Sequence, residues 1–197
     1  HGCDSFVSWS IKNRYTFEKL NYYFEDNGYA DELEKGAILK ITGGEPMLQQ
    51  RRLLKWLPTF VEHFGFKPRI DFETNGSIQP KEEWITEWDA TFTVSPKMSN
   101  NGDPEKLRYK PDILKWHNDH NACFKFVIND SSDHAELLDK YINPGLVNKE
   151  NIWLMPCCGS RDEHTAKSSM VADICKRYHY NFSPRLQLVI WDKALKV

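Results

Sequence analysis

The chain has 197 residues, with 26 Lys and Arg against 28 Asp and Glu, for a formal net charge of -2 at pH 7. Its 40% hydrophobic, 13% aromatic and 27% charged residues exclude a disordered chain, a collagen-like rod and a coiled coil. No uncharged apolar run approaches the ~18 residues that a membrane span needs, and the charge balance argues against a mainly electrostatic nucleic-acid or membrane binder. A chain of this length suits one globular domain able to bury roughly 70% of its unfolded surface.

In chain order, the opening His1-Gly2-Cys3 carries neither an initiator Met nor a signal peptide, so the sequence is expected to begin after a cut or a lost segment. Ala37 to Ile41 then reads as a buried strand, followed by a Gly-rich turn and a helix from about Leu48 to Phe64. Arg69 to Glu73 is a second strand, with Pro80 to Trp88 helical after it, and Ala90 to Val94 is a third. Ala122 to Ile128 is a fourth strand, leading into a helix from about Ser132 to Ile142. Asn151 to Met155 is a fifth, followed by a helix over Asp162 to Tyr178, and Leu186 to Trp191 is read as a last strand. Such alternation predicts a mostly parallel sheet, either doubly wound or curled into a full or partial barrel.

In both forms function gathers at the carboxyl ends of the strands. Those positions hold Thr42-Gly43-Gly44-Glu45-Pro46, Thr74-Asn75-Gly76-Ser77, Ser95-Pro96-Lys97 and Pro156-Cys157-Cys158-Gly159-Ser160, a polar rim unlike the ordinary helix faces. Gly43-Gly44 lets a ligand approach the main chain, and the Glu45 carboxylate suits an ammonium or hydroxyl group. The plain alternative is a tight strand-to-helix turn with Pro46 early in the helix. Asn75-Gly76 marks a turn in its own right, whereas an acid at Glu73 ends an apolar strand and is read as facing a ligand. Lys97 either is solvated or neutralises a carboxylate, and Lys125, between Phe124 and Phe126, faces solvent or a barrel interior.

The GxGxxG, GxxxxGK[ST] and GxSxG patterns are absent, which leaves dinucleotide, P-loop and hydrolase readings unsupported. Five unevenly spaced cysteines, Cys3, Cys123, Cys157, Cys158 and Cys175, fit reduced thiols better than a disulfide scaffold. His117, His120, His134 and His164 lack zinc-site spacing and read as surface or structural residues. A zinc site combining His164 with Cys157 and Cys158 is the weakest of the candidates.

Taken in order, the runs GCDSFVSW, ITGGEPML, FETNGS, VSPK, FKFVI, IWLMP and SPRLQLVIW resemble the 7-carboxy-7-deazaguanine synthases, radical S-adenosylmethionine enzymes. That family contracts 6-carboxy-5,6,7,8-tetrahydropterin to 7-carboxy-7-deazaguanine, with loss of ammonia, on the route to queuosine. GGEP alone marks the wider superfamily; CDS with FETNGS, VSPK and SPRLQ narrows it, and the resemblance covers nearly all of the chain. It implies an α/β fold, a partial TIM-type barrel forming a single core domain over residues 1–197. That domain would be incomplete at its amino end, its first strand and part of the cluster loop lying before His1.

By the same resemblance, Cys3 is the last of three cysteines holding a [4Fe-4S] cluster, the other two lying upstream, and the remaining cysteines stand at unsuitable spacings. Ser5, where the family often has Thr, would help hold Mg²⁺. S-adenosylmethionine would meet Gly43, Gly44 and Glu45 at its amino group and Ser95, Pro96 and Lys97 along its ribose and carboxylate. Met155, Pro156, Cys157 and Cys158 would lie at its adenine, with Glu73 and Asn75 facing the ligand less specifically. Thr42 would contact the pterin, and Arg185 with Ala194 to Val197 would close over it. The resemblance further implies a cytoplasmic homodimer served by an external electron donor such as flavodoxin, and no nucleic-acid or membrane partner. Two rival expectations are a radical activase acting on a partner protein and a cluster-less interaction module.

Overall fold

The computed structural model describes residues 15–193. Its strands alternate with helices and follow one another in the sheet order β1-β2-β3-β4-β5-β6. The pairs β1–β2, β3–β4, β4–β5 and β5–β6 are all parallel. This is the order of a partial TIM-type barrel, and among the described residues β1 and β6 are its edge strands. Among the described residues, no helix is long and apolar enough to cross a membrane. The described chain divides into two compact units, residues 15–74 with 78–92 and residues 75–77 with 93–193.

In the amino-terminal unit, α1 (Phe17–Asp26) starts where the Thr16 hydroxyl accepts from the Lys19 amide, satisfying a donor that the first turn leaves open. Its buried Asn21 receives the Trp56 indole N–H at 2.8 Å and donates to the Thr59 carbonyl at 3.1 Å, fixing α1 on α3 (Gln50–Phe64). Helix α2 (Tyr29–Glu34) lies between α1 and α3 in sequence. Helix α3 buries Trp56, Leu57 and Phe60. Strands β1 (Ile38–Ile41) and β2 (Arg69–Thr74) pair with Lys40 opposite Asp71. Phe72 packs edge-on to Trp84 of the single turn α4 (Glu83–Thr86) and stacks on Phe92 of β3 (Thr91–Val94).

In the carboxy-terminal unit, the end of β3 pairs with β4 (Cys123–Ile128), then come β5 (Ile152–Pro156) and the two-residue β6 (Asn181–Phe182). The helices are α5 (Glu105–Arg108), α6 (Pro111–Asp119), α7 (Ser131–Leu137), α8 (Arg161–Tyr178) and α9 (Leu186–Trp191). Helix α7 opens on a reciprocal cap between Asp130 and Asp133 and runs into a wider turn over Leu138–Ile142. Tyr141 of that turn packs on Phe126.

Three expectations need correction. Leu186–Trp191 is a helix, not a strand, because Arg161 reaches its carboxyl end and donates to the Val189 and Ile190 carbonyls. The last strand is instead Asn181–Phe182. Strand β1 is not buried: as an edge strand it leaves Ile38 50% exposed. The helix expected over Pro80 to Trp88 is confined to Glu83–Thr86. In β4, Phe124, Phe126 and Ile128 form the buried face, and Lys125 lies half-buried on the other with Cys123 and Val127.

Candidate functional site

In the amino-terminal unit, the turn after β1 is shaped by Gly43, whose φ of +125° lies in a region that side-chain-bearing residues rarely adopt. A Cβ built there would meet no atom of the described residues within 4 Å, so among them this backbone borders open space. Thr42 and Gly44 are exposed. Glu45 is half-buried and its Oε1 accepts twice, from the Met47 amide at 3.0 Å and from the Thr74 hydroxyl at 2.7 Å. The first bond caps the short 3₁₀ turn Pro46–Gln49; the second ties the β1 turn to the end of β2. The strand-to-helix turn expected at Pro46 is thus present, and the carboxylate that caps it is also aimed.

Strand β2 ends with Glu73 half-buried and Thr74 fully buried. The deeply placed acid of this strand is Asp71 rather than Glu73. Asp71 is 8% exposed, pairs with the Lys40 ammonium at 2.5 Å and accepts from the Thr91 hydroxyl at 2.8 Å. Partnering of this kind is what a buried carboxylate requires. The signal for the pair lay in the register of β1 against β2, which neither strand shows when read alone.

In the carboxy-terminal unit, the Asn75 Oδ1 accepts the Ser77 amide at 2.8 Å, and Gly76 has φ +72°. These form the turn expected at Asn-Gly. A Cβ on Gly76 would stand 2.8 Å from Val94 Cγ1 and 3.1 Å from Leu114 Cδ2, so the turn packs closely on the end of β3. Beyond β3, Ser95 and Pro96 are buried and Lys97 is half-buried. The Lys97 carbonyl accepts from Arg108 at 3.2 Å.

At the end of β5, Met155 is half-buried and Pro156 buried; just beyond it Cys157 is half-buried, and its amide donates to the Ile128 carbonyl at 2.8 Å, continuing the β4–β5 ladder. The Cys157 carbonyl accepts the Lys167 ammonium at 2.8 Å, and the Cys158 carbonyl accepts Arg185 at 2.5 Å. The Gly159 amide donates to Glu163 at 2.7 Å. Burial pushes the Cys158 thiol up, with Arg185 opposing. His164 accepts the Arg185 amide at Nε2 (3.3 Å) and meets the Ser168 hydroxyl at Nδ1 (3.2 Å). With both ring nitrogens engaged, His164 is structural, which removes the zinc candidate at Cys157 and Cys158.

The sequence-predicted residues therefore fall into local groups. Thr42 to Glu45 meet the end of β2 through Thr74, Asn75-Gly76 meets β3 through Val94, and Met155 to Cys158 are joined to β4. Among the described residues, no hydrogen bond joins Ser95–Lys97 to Met155–Cys158. Cys3, Ser5, Ala194 and Val197, assigned to the cluster, Mg²⁺ and the substrate, lie outside the described residues. Among those described, no three His, Cys, Asp or Glu side chains gather to hold a metal ion. The supports the sequence reading passed over are Thr74, Lys167 and Arg108, each a long or hydroxyl-bearing side chain that acts on another residue's atoms.

No protein-family model matches the chain. It is 29% identical over 154 residues to the 7-carboxy-7-deazaguanine synthase of Pyrobaculum aerophilum, covering 78% of this chain and 65% of that one. The synthase of the same name from Hyperthermus butylicus is 26% identical over 191 residues, covering 95% of this chain and 77% of the relative. That of Koribacter versatilis is 31% identical over 150 residues, 75% of this chain and 62% of the other. The chain thus spans less than two thirds of the Pyrobaculum and Koribacter proteins. The crystal structure of QueE from Escherichia coli matches with a TM-score of 0.57 at 20% identity, over 87% of this chain and 64% of that one, a likeness of fold. The chain is thus similar in sequence to several 7-carboxy-7-deazaguanine synthases over three quarters or more of its own length, and similar in fold to QueE.

Proposed function

We propose that the chain is the core of a 7-carboxy-7-deazaguanine synthase, a radical S-adenosylmethionine lyase converting 6-carboxy-5,6,7,8-tetrahydropterin to 7-carboxy-7-deazaguanine with release of ammonia. The observation that carries this reading is the Glu45 carboxylate, held by Met47 and Thr74 at the β1 turn beside the open backbone of Gly43. An anchored carboxylate next to accessible main chain suits the ammonium end of an amino acid. The shared name of the relatives supports the same substrate class.

S-adenosylmethionine carries one charge of each sign at its methionine end, and the family resemblance assigns one side chain of this protein to each. Glu45 supplies the anion. Lys97 supplies a cation whose ammonium, among the described residues, lies within ion-pair distance of no carboxylate. Gly43 and Gly44 would receive the amino group with Glu45, Ser95 and Pro96 would line the ribose, and Met155 to Cys158 would bound the adenine, with Glu73 and Asn75 nearby. Thr42 would face the pterin. When bound, the cluster and S-adenosylmethionine would supply the one-electron, hydrogen-abstracting chemistry, which belongs to the cofactor. This chain's residues would bind, orient and exclude water. The cluster on Cys3, Mg²⁺ on Ser5 and closure by Val197 belong to the proposal, as do a single core domain, a cytoplasmic homodimer and an electron donor such as flavodoxin.

Anaerobic reconstitution of the full-length protein tests the reading. Product formed from the carboxytetrahydropterin in an S-adenosylmethionine-dependent assay is the expected result. Cleavage of S-adenosylmethionine without that product would point to another radical branch, and protein that never cleaves it would end the enzymatic reading.

A further inference from the structure

The stretch after β3 is held by an ion pair that the proposed chemistry does not use. Arg108 and Glu136 have side chains only 5% and 8% exposed, and Nη1 of Arg108 donates to Glu136 Oε1 at 2.9 Å. Charges this deep are costly unless every group is engaged; here the hydrogen bonds beyond the pair go to one loop, and Glu105 stands 3.9 Å from Nη2 of Arg108 as a second carboxylate. Arg108 also donates to the Lys97 carbonyl at 3.2 Å and to the Asp103 carbonyl at 3.2 Å. The other Glu136 oxygen accepts the Ser99 amide at 2.9 Å and the Ser99 hydroxyl. The pair thus grips the backbone at Lys97, Ser99 and Asp103 and anchors it to α7. Burial alone would raise the Glu136 carboxyl, but its bonds from Ser99 and Arg108 outweigh that and hold it below the usual range.

A pair serving stability alone would have no need to end on main-chain atoms of the segment that carries Lys97, since apolar residues of similar volume often stabilise as well. We infer that Arg108 and Glu136 are positioning residues for Lys97, setting the direction from which its ammonium meets the carboxylate of S-adenosylmethionine. This rests on the assignment of Lys97 made above. Arginine matters here because its planar fork reaches a carboxylate and two carbonyls at once, which a lysine cannot do.

The test uses the full-length reconstituted protein, S-adenosylmethionine as the probe in equilibrium dialysis, and hydrogen exchange at the Ser99 amide. Lys97→Ala is expected to weaken binding roughly tenfold. Glu136→Gln and Arg108→Lys should each weaken it roughly three- to tenfold and speed Ser99 exchange. In the Lys97→Ala background, Glu136→Gln should add less than about a twofold further loss, because its effect passes through the missing side chain. Faster Ser99 exchange with unchanged affinity, or an undiminished Glu136→Gln effect without Lys97, would overturn the inference. Should Arg108→Lys fail to fold, Glu136→Gln and the milder Ser99→Ala carry the test. No loss of affinity in Lys97→Ala would remove the Lys97 assignment and this inference together, while product formation would judge the overall activity separately.

Discussion

The turns after β1 and β5 meet the same demand by opposite means. After β1, one side chain does the holding: Glu45 caps Met47 and receives Thr74, and the glycine backbone beside it borders open space. After β5, the main chain itself is held. Ile128 takes the Cys157 amide, Lys167 and Arg185 take successive carbonyls, and Glu163 takes the Gly159 amide. The first arrangement leaves backbone available to a ligand and concentrates vulnerability in one carboxylate. The second spreads vulnerability over several bonds and leaves less backbone to offer. A ligand gripped through an ammonium belongs with the first; a flat ring resting against a stiff loop suits the second.

The largest expected effect separates the two units by pH. Burial, with a smaller push from His120, drives the fully buried His117 of the carboxy-terminal unit down to about 3. A histidine kept neutral in the fold but charged when unfolded contributes its full stability above its ordinary pKa near 6.5, and that contribution is lost as pH falls toward 3. The slope approaches about 1.4 kcal/mol per pH unit in that window. Denaturant unfolding between pH 7 and 5 should show it, and His117→Gln should flatten the dependence; an unchanged slope in the variant would assign the loss elsewhere.

Next in size come the glycines. Gly76→Ala adds a Cβ 2.8 Å from Val94 Cγ1 at a positive φ, so it should cost about 2–4 kcal/mol. Gly43→Ala meets no neighbour and should cost about 1 kcal/mol from the backbone alone. Equal losses in urea melts would contradict the contrast between a packed turn and an open one. Thr74→Val removes the bond that aims Glu45 while nearly preserving volume. It should cost about 1.5 kcal/mol and weaken S-adenosylmethionine binding severalfold, as calorimetry would read. The smallest effect belongs to Lys167→Met, about 0.5–1 kcal/mol by the same melts, because neighbouring bonds keep the β5 loop in place. A loss larger than that of Thr74→Val would reverse the comparison.

Much of this architecture was legible residue by residue. Five strands, the α3 and α8 helices and the Asn75-Gly76 turn follow from local pattern, and the polar residues stand after the strands as expected. What escaped depends on partners distant in sequence. Leu186–Trp191 has a strand's composition and becomes a helix through contacts from Arg161. Helices α1 and α2 were not singled out; Tyr22, Tyr23 and Tyr29 place large rings on their outer side, where they stay 43–48% exposed. The Lys40–Asp71 pair and the Arg108 fork are products of register and loop path. Glu73 drew attention as the acid of β2 because sequence cannot tell which of two acids in one strand lies deeper.

The grip of Arg161 on α9 has a consequence for handling the protein. Leu186–Trp191 is six residues without charge or proline, with Leu186, Val189, Ile190 and Trp191 each 42–58% exposed. Released from the helix, such a hexapeptide is the kind that stacks into intermolecular sheets. The Arg161 guanidinium, placed just after the β5 loop, therefore guards against such stacking, and its loss would register first as precipitation on storage.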